Sequence, residues 1–349
     1  MFKSRLAFLV LIFLFLFILN LNLDSKVFAG NKAARIVAKI KNVGMGPDNL
    51  AFAPDGTRLF VSGIGSIFSI DTTKNISLGN FSSLVGGTDP NGSDPSTLVF
   101  ATIGSKNFNF ATNFAGNVAV VDVNKVQLPI ATASGSTEAG LIDGVVSRDG
   151  TVLYAVNKLT SRISLFPIFE DKGLQKAFNG GFINGVGKGS SAIVVSLDGK
   201  FAYVANKISQ DIAIVDLVLK KVAKKIPLNG SPTKLAISSK GDRLYVTLNS
   251  TGQLAIIDTT TTKVLTIISQ IGEGSWGIAL NTTGSRAYIT NSMTGDVTIV
   301  NTTNSKIIQK IPKVGLEPRG LVLSPKEDKL YVADFLGQSI TVISLKNTE

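Results

Sequence analysis

A chain with no histidine and no cysteine has few ways to do chemistry. Without imidazole there is no Ser-His-Asp machinery, and without thiols there are no thiolate nucleophiles, disulfides or Cys/His zinc sites. What remains is carboxylates, lysines, arginines and hydroxyls, with a single tryptophan, Trp276. Asp48, Asn49 and Asp143 carry the hard oxygen donors that calcium or magnesium would take. Lys234, Trp276 and Arg319 are residue types suited to anchoring a ligand or partner. Two short runs imitate better-known sites and fail at the decisive position. Asp89–Asp94 has the look of a calcium loop, but its glycine is misplaced and Phe100 stands where a bidentate Glu should close the site. Gly185–Ser190 imitates a phosphate loop, yet Gly189 replaces the magnesium-binding hydroxyl. It also leads into a strand rather than a helix, so no helix N-terminus is there to hold phosphate. Neither run implies a metal or a cofactor, and none is expected.

The elements that must position these residues are set by a repeat. Pro232–Asp258, Ser275–Asn301 and Pro318–Leu345 read as copies of one unit, and weaker copies precede them. One aromatic marks each copy: Phe60, Phe110, Tyr154, Tyr203, Tyr245, Tyr288 and Tyr331, spaced by 50, 44, 49, 42, 43 and 43 residues. Each copy holds four short, β-branched apolar runs, which in the fifth are Leu235–Ser238, Arg243–Thr247, Gln253–Asp258 and Lys263–Ser269. Turns such as Asp149-Gly150 and Asp198-Gly199 join the first two runs. Four antiparallel strands at this period make a propeller blade. The expected fold is therefore an all-β, seven-bladed β-propeller of four-stranded antiparallel blades. The last copy stops at its third strand, while Ala34–Lys41 offers a spare strand before the first copy. Pairing the two would complete the last blade and close the ring.

The runs Leu244-Tyr245-Val246-Thr247, Ala287-Tyr288-Ile289-Thr290-Asn291 and Tyr203-Val204-Ala205-Asn206 carry a family resemblance. The third-strand run Ala255-Ile256-Ile257-Asp258-Thr259 strengthens it. The chain resembles the YVTN-repeat (YncE-like) β-propellers of surfaces and periplasms. That resemblance implies the fold and is nearly silent on function, because propellers host binding modules, lyases, lactonases and dehydrogenase subunits. Blade 2 departs with Phe110 in place of Tyr, and blade 3 ends its third strand at Phe166-Pro167 rather than at Asp. Insertions at Thr73–Asp94 and Phe166–Gly189 break the period, and Glu170–Leu174 in the second resembles the strand-turn-strand of lactonase-type propellers.

Aligning the copies places Asp48, Ser96, Ile142, Ser191, Thr233, Trp276 and Arg319 at one rim position, and Asn49, Thr97, Asp143, Ala192, Lys234, Gly277 and Gly320 at the next. Residues that shape a blade should repeat, whereas residues that serve one ligand need not. The binding candidates are accordingly Asp48, Asn49, Asp143, Lys234, Trp276 and Arg319. The repeated Asn113, Asn157, Asn206, Asn249, Asn291 and Asp334 at second-strand ends are expected to close turns, as are the Asp residues after the third strands.

Residues 1–29 read as a secretory signal peptide: Lys3 and Arg5, an apolar run, then Val27-Phe28-Ala29 before Gly30. An uncleaved anchor is the alternative. Residues 30–349 then form one exported domain, periplasmic, surface-bound or secreted, with no membrane span after cleavage and expected to be a monomer. The formal charge is +11 for the full chain and +9 without residues 1–29, and it draws such a protein toward anionic partners. The expected function is a non-enzymatic scaffold that binds a protein or an anionic envelope polymer at the channel rim. One alternative is a lactonase-like hydrolase using the rim carboxylates and Arg319, with a divalent cation on Asp48, Asn49 and Asp143. Another is a basic propeller binding DNA or anionic envelope polymers. Lys220, Lys221, Lys224 and Lys225 form the densest basic run, but no stacking aromatics accompany them, and lysine on an outer strand also blocks edge-to-edge aggregation.

Overall fold

The structure is a computed structural model that describes residues 33–64, 66–80, 95–103, 106–113, 116, 118–122, 129–133, 139–168 and 180–345. The expected signal segment, the loop Asp89–Asp94 and the run Glu170–Leu174 lie outside the described residues.

Among the described residues, the strands form seven four-stranded antiparallel sheets. Six sheets take their strands in chain order from the channel outward. The seventh takes its inner three strands from Pro318–Leu323, Lys329–Asp334 and Ser339–Ser344, and its outer strand from Arg35–Ile40. The register there runs from Arg35 opposite Ser344 to Ile40 opposite Ile340. The spare strand expected at Ala34–Lys41 thus closes the ring. A side-chain clamp adds to it: Gln309, on the outer strand of blade 6, accepts from the Ala34 amide at 3.1 Å and donates to the Ala34 carbonyl at 2.9 Å. The inner strands touch in succession around the channel, and that of blade 7 touches that of blade 1, Leu50–Phe52.

Burial follows from this stacking. Second and third strands are covered on both faces by neighbouring blades, so runs such as Leu244–Leu248 are wholly buried and show little alternation. The apolar clusters lie between consecutive blades; one joins Tyr154, Ile163 and Ile183 of blade 3 to Ile193, Val204 and Val215 of blade 4. Outer strands meet water, and Lys221–Pro227 places Lys221, Lys224 and Lys225 on an exposed face, as expected for an edge protected by charge.

The marker tyrosines pin one blade to the next. The Tyr331 hydroxyl, in blade 7, reaches the Thr72 carbonyl of blade 1 at 3.4 Å, and Phe52 packs edge-on against its ring at 5.5 Å. Burial pushes that phenol up to about 12. Tyr203 and Tyr245 reach the side chains of the equivalent Thr259 and Thr302 of the following blades. These threonines lie just after the third-strand Asp or Asn, whose side chain caps the adjoining turn: Asp258 accepts from the Thr260 and Thr261 amides at 3.0 and 2.7 Å.

The second-strand asparagines are structural too. Asn206 donates to the Val186 carbonyl at 2.8 Å and to Asp211 at 2.7 Å, while accepting from Ser190 at 2.9 Å. Asn291 repeats the pattern in blade 6, and Asp334 in blade 7 accepts from the amides of Leu316 and Glu317. Asn249 breaks the expectation. The second strand of blade 5 ends at Leu248, and Asn249 follows it, donating instead to the Ser275 carbonyl of blade 6 at 3.3 Å. The loop is as long as in blades 4 and 6, but Leu248 occupies the last strand position where they carry Asn206 and Asn291, so Asn249 is the first loop residue.

Candidate functional site

The inner strands carry a β-bulge at their channel-side start in blades 2 to 7, such as between Pro318 and Leu321 or Leu141 and Asp143. A bulge re-aims the local side chains. Beside it, the second rim position of blades 6 and 7 is pressed against the next blade. Gly320 shows why the second register cannot vary freely. Its amide donates to the Asp48 carbonyl at 2.9 Å, and a Cβ there would lie 2.2 Å from that oxygen. Gly277 meets the Arg319 carbonyl in the same way, at 2.4 Å.

Charged residues occupy this register only in blades where the neighbour leaves room. Asp143, of blade 3, reaches past Ala192 of blade 4 to Lys234 of blade 5, with Oδ1 3.3 Å from Nζ. Its other oxygen accepts from the Ile193 amide at 3.2 Å. Asp143 and Lys234 therefore neutralise each other inside the channel wall. Asn49 donates to Asp48 Oδ2 at 3.4 Å, and its amide donates to the Ser62 hydroxyl at 3.0 Å.

The first register builds the mouth. Arg319 lies 3.4 Å from the centre of the Phe335 ring and 5.0 Å from that of Trp276, a guanidinium held between two aromatic faces. Its Nε and Nη2 donate to Glu317 Oε1 at 2.9 and 2.8 Å, and its Nη1 to Asp48 Oδ1 at 3.4 Å. The other face of this ensemble belongs to Lys207, which extends from the loop between the second and third strands of blade 4. Its Nζ sits 5.5 Å from the centre of the Trp276 ring. Among the described residues, no carboxylate forms an ion pair with it. Burial lowers the Lys207 pKa, and the charges of Lys158 and Arg319 lower it further, with no acid to offset them.

Sequence reasoning thus brought the six candidates to one end of the channel but sorted them imperfectly. Trp276, Arg319 and Asp48 shape the mouth. Asn49, Asp143 and Lys234 tie the wall together behind it. Lys207, Glu317 and Phe335 were missed. Lys158, Lys207 and Phe335 share the position immediately after the second-strand Asn or Asp, and comparing that loop across the copies would have exposed the cations.

The oxygen donors do not fit a divalent ion. Both oxygens of Asp48 and both of Asp143 already face protein donors. Among the described residues, no group of carboxylates is arranged to hold a metal. A cavity of 670 Å³ lies at the closure seam, lined by Lys39, Lys41, Asn42, Leu316, Asp334 and Gln338. The buried Asp334 there is engaged by backbone amides and by Lys39 at 3.9 Å.

Asp48 responds to pH in a defined direction. Burial raises its carboxyl pKa, and Arg319 and Lys234 offset this only in part. The folded chain holds that proton more tightly than the unfolded chain does. The resulting stabilisation is complete below the ordinary carboxylate pKa and is lost as pH rises through the shifted value. From about pH 4 to pH 7, wild type should therefore lose melting temperature relative to Asp48→Asn. A constant gap between the two across that range would show that the carboxyl is not held up by its burial.

Residues 139–276 match the family described as Lactonase, 7-bladed beta-propeller. No curated protein matches the chain. Among solved structures, Kuenenia stuttgartiensis hydrazine synthase is similar at 18% identity and a TM-score of 0.73, over 88% of this chain and 97% of that one. The beta-propeller domain of Myceliophteria thermophila Cps50 (Swd1) is similar at 11% identity and a TM-score of 0.70, over 90% of this chain and all of that domain. The fold is that of a β-propeller. At these identities the likeness to the solved structures extends to the fold alone, and the family match ends at Trp276, before Arg319 and Glu317 of the mouth.

Proposed function

We propose that the protein is an exported propeller of the YVTN type that binds rather than turns over, and that it takes an anionic group of an envelope polymer or protein at the channel mouth. One observation carries this reading: Lys207 is a partly buried cation against Trp276 with no acid partner among the described residues, while the carboxylates around it are already paired. An incoming carboxylate or phosphate would supply the missing countercharge and form a charge-assisted hydrogen bond. Trp276 and Phe335 would contact its apolar part. Lys207 has no acid to strand, so Lys207→Gln should leave the fold intact and weaken binding of polyglutamate or polyphosphate by roughly tenfold, the share typical of one such bond. Equal affinities for the two proteins would remove Lys207 from the site.

Lactone hydrolysis is the second reading. The family match over residues 139–276 supports it, as does a carboxyl at Asp48 that burial biases toward its protonated form. Lactone turnover that is lost in Asp48→Asn would establish it and overturn the binding-only proposal. The paired state of Asp48 and Asp143 argues against routing that chemistry through a metal. DNA binding has less behind it, since Lys221, Lys224 and Lys225 lie on an outer strand remote from the mouth.

A further inference from the structure

The mouth is surrounded by apolar side chains that project into solvent. In blades 3, 4, 6 and 7 the second residue of the turn between the second and third strands is Leu159, Ile208, Met293 or Leu336. Their exposures are 61%, 66%, 74% and 59%. The equivalent residue of blade 5 is Ser250. The base of the tip is supported from beneath: a Cβ on Gly140, Gly189 or Gly274 would collide with Leu159, Ile208 or Met293. The missing Cβ of each glycine leaves room for the tip side chain to lie over the entry loop. Met45 and Leu316, on two of those entry loops, are exposed as well. Ile64, in the corresponding turn of blade 1, is exposed too, and the other exposed apolar residues lie on outer strands, or on blade 4 at the opposite face, where Leu197, Val218 and Leu219 gather.

Cations accompany the tips. Lys158 and Lys207 immediately precede Leu159 and Ile208, Lys188 precedes the glycine beneath Ile208, and Lys39 and Lys41 flank the seam beside Met45 and Leu316. Glu273 is an exposed acid among them. Equivalent positions on a ring of blades share one plane, so the tips form a flat circle of apolar contacts set in a basic field.

We propose that this face docks on an anionic lipid surface, with the tips entering the headgroup region and the lysines facing the acidic headgroups. The proposal rests on the reading that the mouth face is the working face. The distribution of the tips favours a bilayer over a protein segment. Leu159, Ile208, Met293 and Leu336 stand on separate blades, and the polar Ser250 interrupts the circle between Ile208 and Met293. A helix or strand needs a continuous apolar trough, whereas a fluid interface accepts separate insertions and rewards their combination with basic charge. No helix among the described residues is long and apolar enough to cross a membrane.

Sedimentation with vesicles tests this. The full chain should bind vesicles rich in phosphatidylglycerol, bind phosphatidylcholine vesicles weakly, and lose binding as salt rises. Replacing Leu159, Ile208, Met293 and Leu336 together by Ser should weaken binding to the anionic vesicles at least ~tenfold while leaving the melting temperature unchanged, because these side chains are exposed. The outer-strand control Val264→Ser with Leu265→Ser should bind as wild type does. Failure to bind phosphatidylglycerol vesicles would overturn the proposal, and so would equal binding by the tip variant. Loss of polyglutamate binding in the tip variant, with vesicle binding retained, would assign the tips to a protein partner instead. Polyphosphate binding that depends on Lys207 reports on the mouth separately, so either idea can fail while the other stands.

Discussion

A chain beginning at Gly46 should be insoluble, or melt far below a chain beginning at Gly30. The missing segment supplies the outer strand of blade 7 and its whole ladder with Ser339–Ser344. It also supplies Ala34, whose backbone is held on both sides by Gln309, and the buried side chains Ile40 and Val43. Each large buried apolar side chain contributes roughly 1.5–3 kcal/mol. Two of them, with the partly buried Ile36 and the lost ladder bonds, remove a large share of a typical net stability of about 5–15 kcal/mol. The deletion also bares the third strand of blade 7 as an edge open to pairing with other chains. Thermal melts and soluble yield of the two proteins decide the matter. Equal values would mean that the ring closes without this strand.

Asn291→Leu should lower stability by about 3 kcal/mol, near 6 °C in melting temperature for a chain of this size. The side chain is fully buried, yet its amide nitrogen donates to the Ile271 carbonyl at 2.9 Å and to the Thr298 hydroxyl at 3.0 Å, and contacts Asp296. Its oxygen accepts from Ser275 at 3.1 Å. Leucine has a similar volume and satisfies none of them, so buried polar atoms lose partners at about 1–3 kcal/mol each. Asn249→Ala should cost less than about 1 kcal/mol, because Asn249 is only partly buried and makes one long bond, to Ser275. Melts of the two variants side by side check this. Similar losses would mean that the repeated asparagine is not what locks the turn.

The contrast between these two asparagines shows how much of the molecule is legible in its sequence. The aromatic period, the Asp-Gly turns and the unfinished last copy reported the ring and its closure, because each reflects a local constraint repeated in every blade. Asn249 looked like another copy of Asn291, yet it lies one position later in its blade, and Leu248 stands where Asn291 does. The mouth was legible in part. Trp276 and Arg319 stand out because they depart from their counterparts in the other blades. The pairing of Asp143 with Lys234 could not be read, since it depends on how far the bulged inner strands of blades 3 and 5 reach across the small Ala192. Lys207 was missed for a related reason. It looks like a loop lysine, and only the folded ring carries it past blade 5 to the Trp276 indole.

That indole offers the most direct measurement. Trp276 is the only tryptophan in the chain, so its fluorescence reports on the mouth alone. Titration of the full chain with polyphosphate or polyglutamate should give a saturable change in emission that weakens with salt and is much reduced in Lys207→Gln. Emission that stays flat while the same polymer binds by sedimentation, or that changes identically in Lys207→Gln, would contradict binding at the channel mouth.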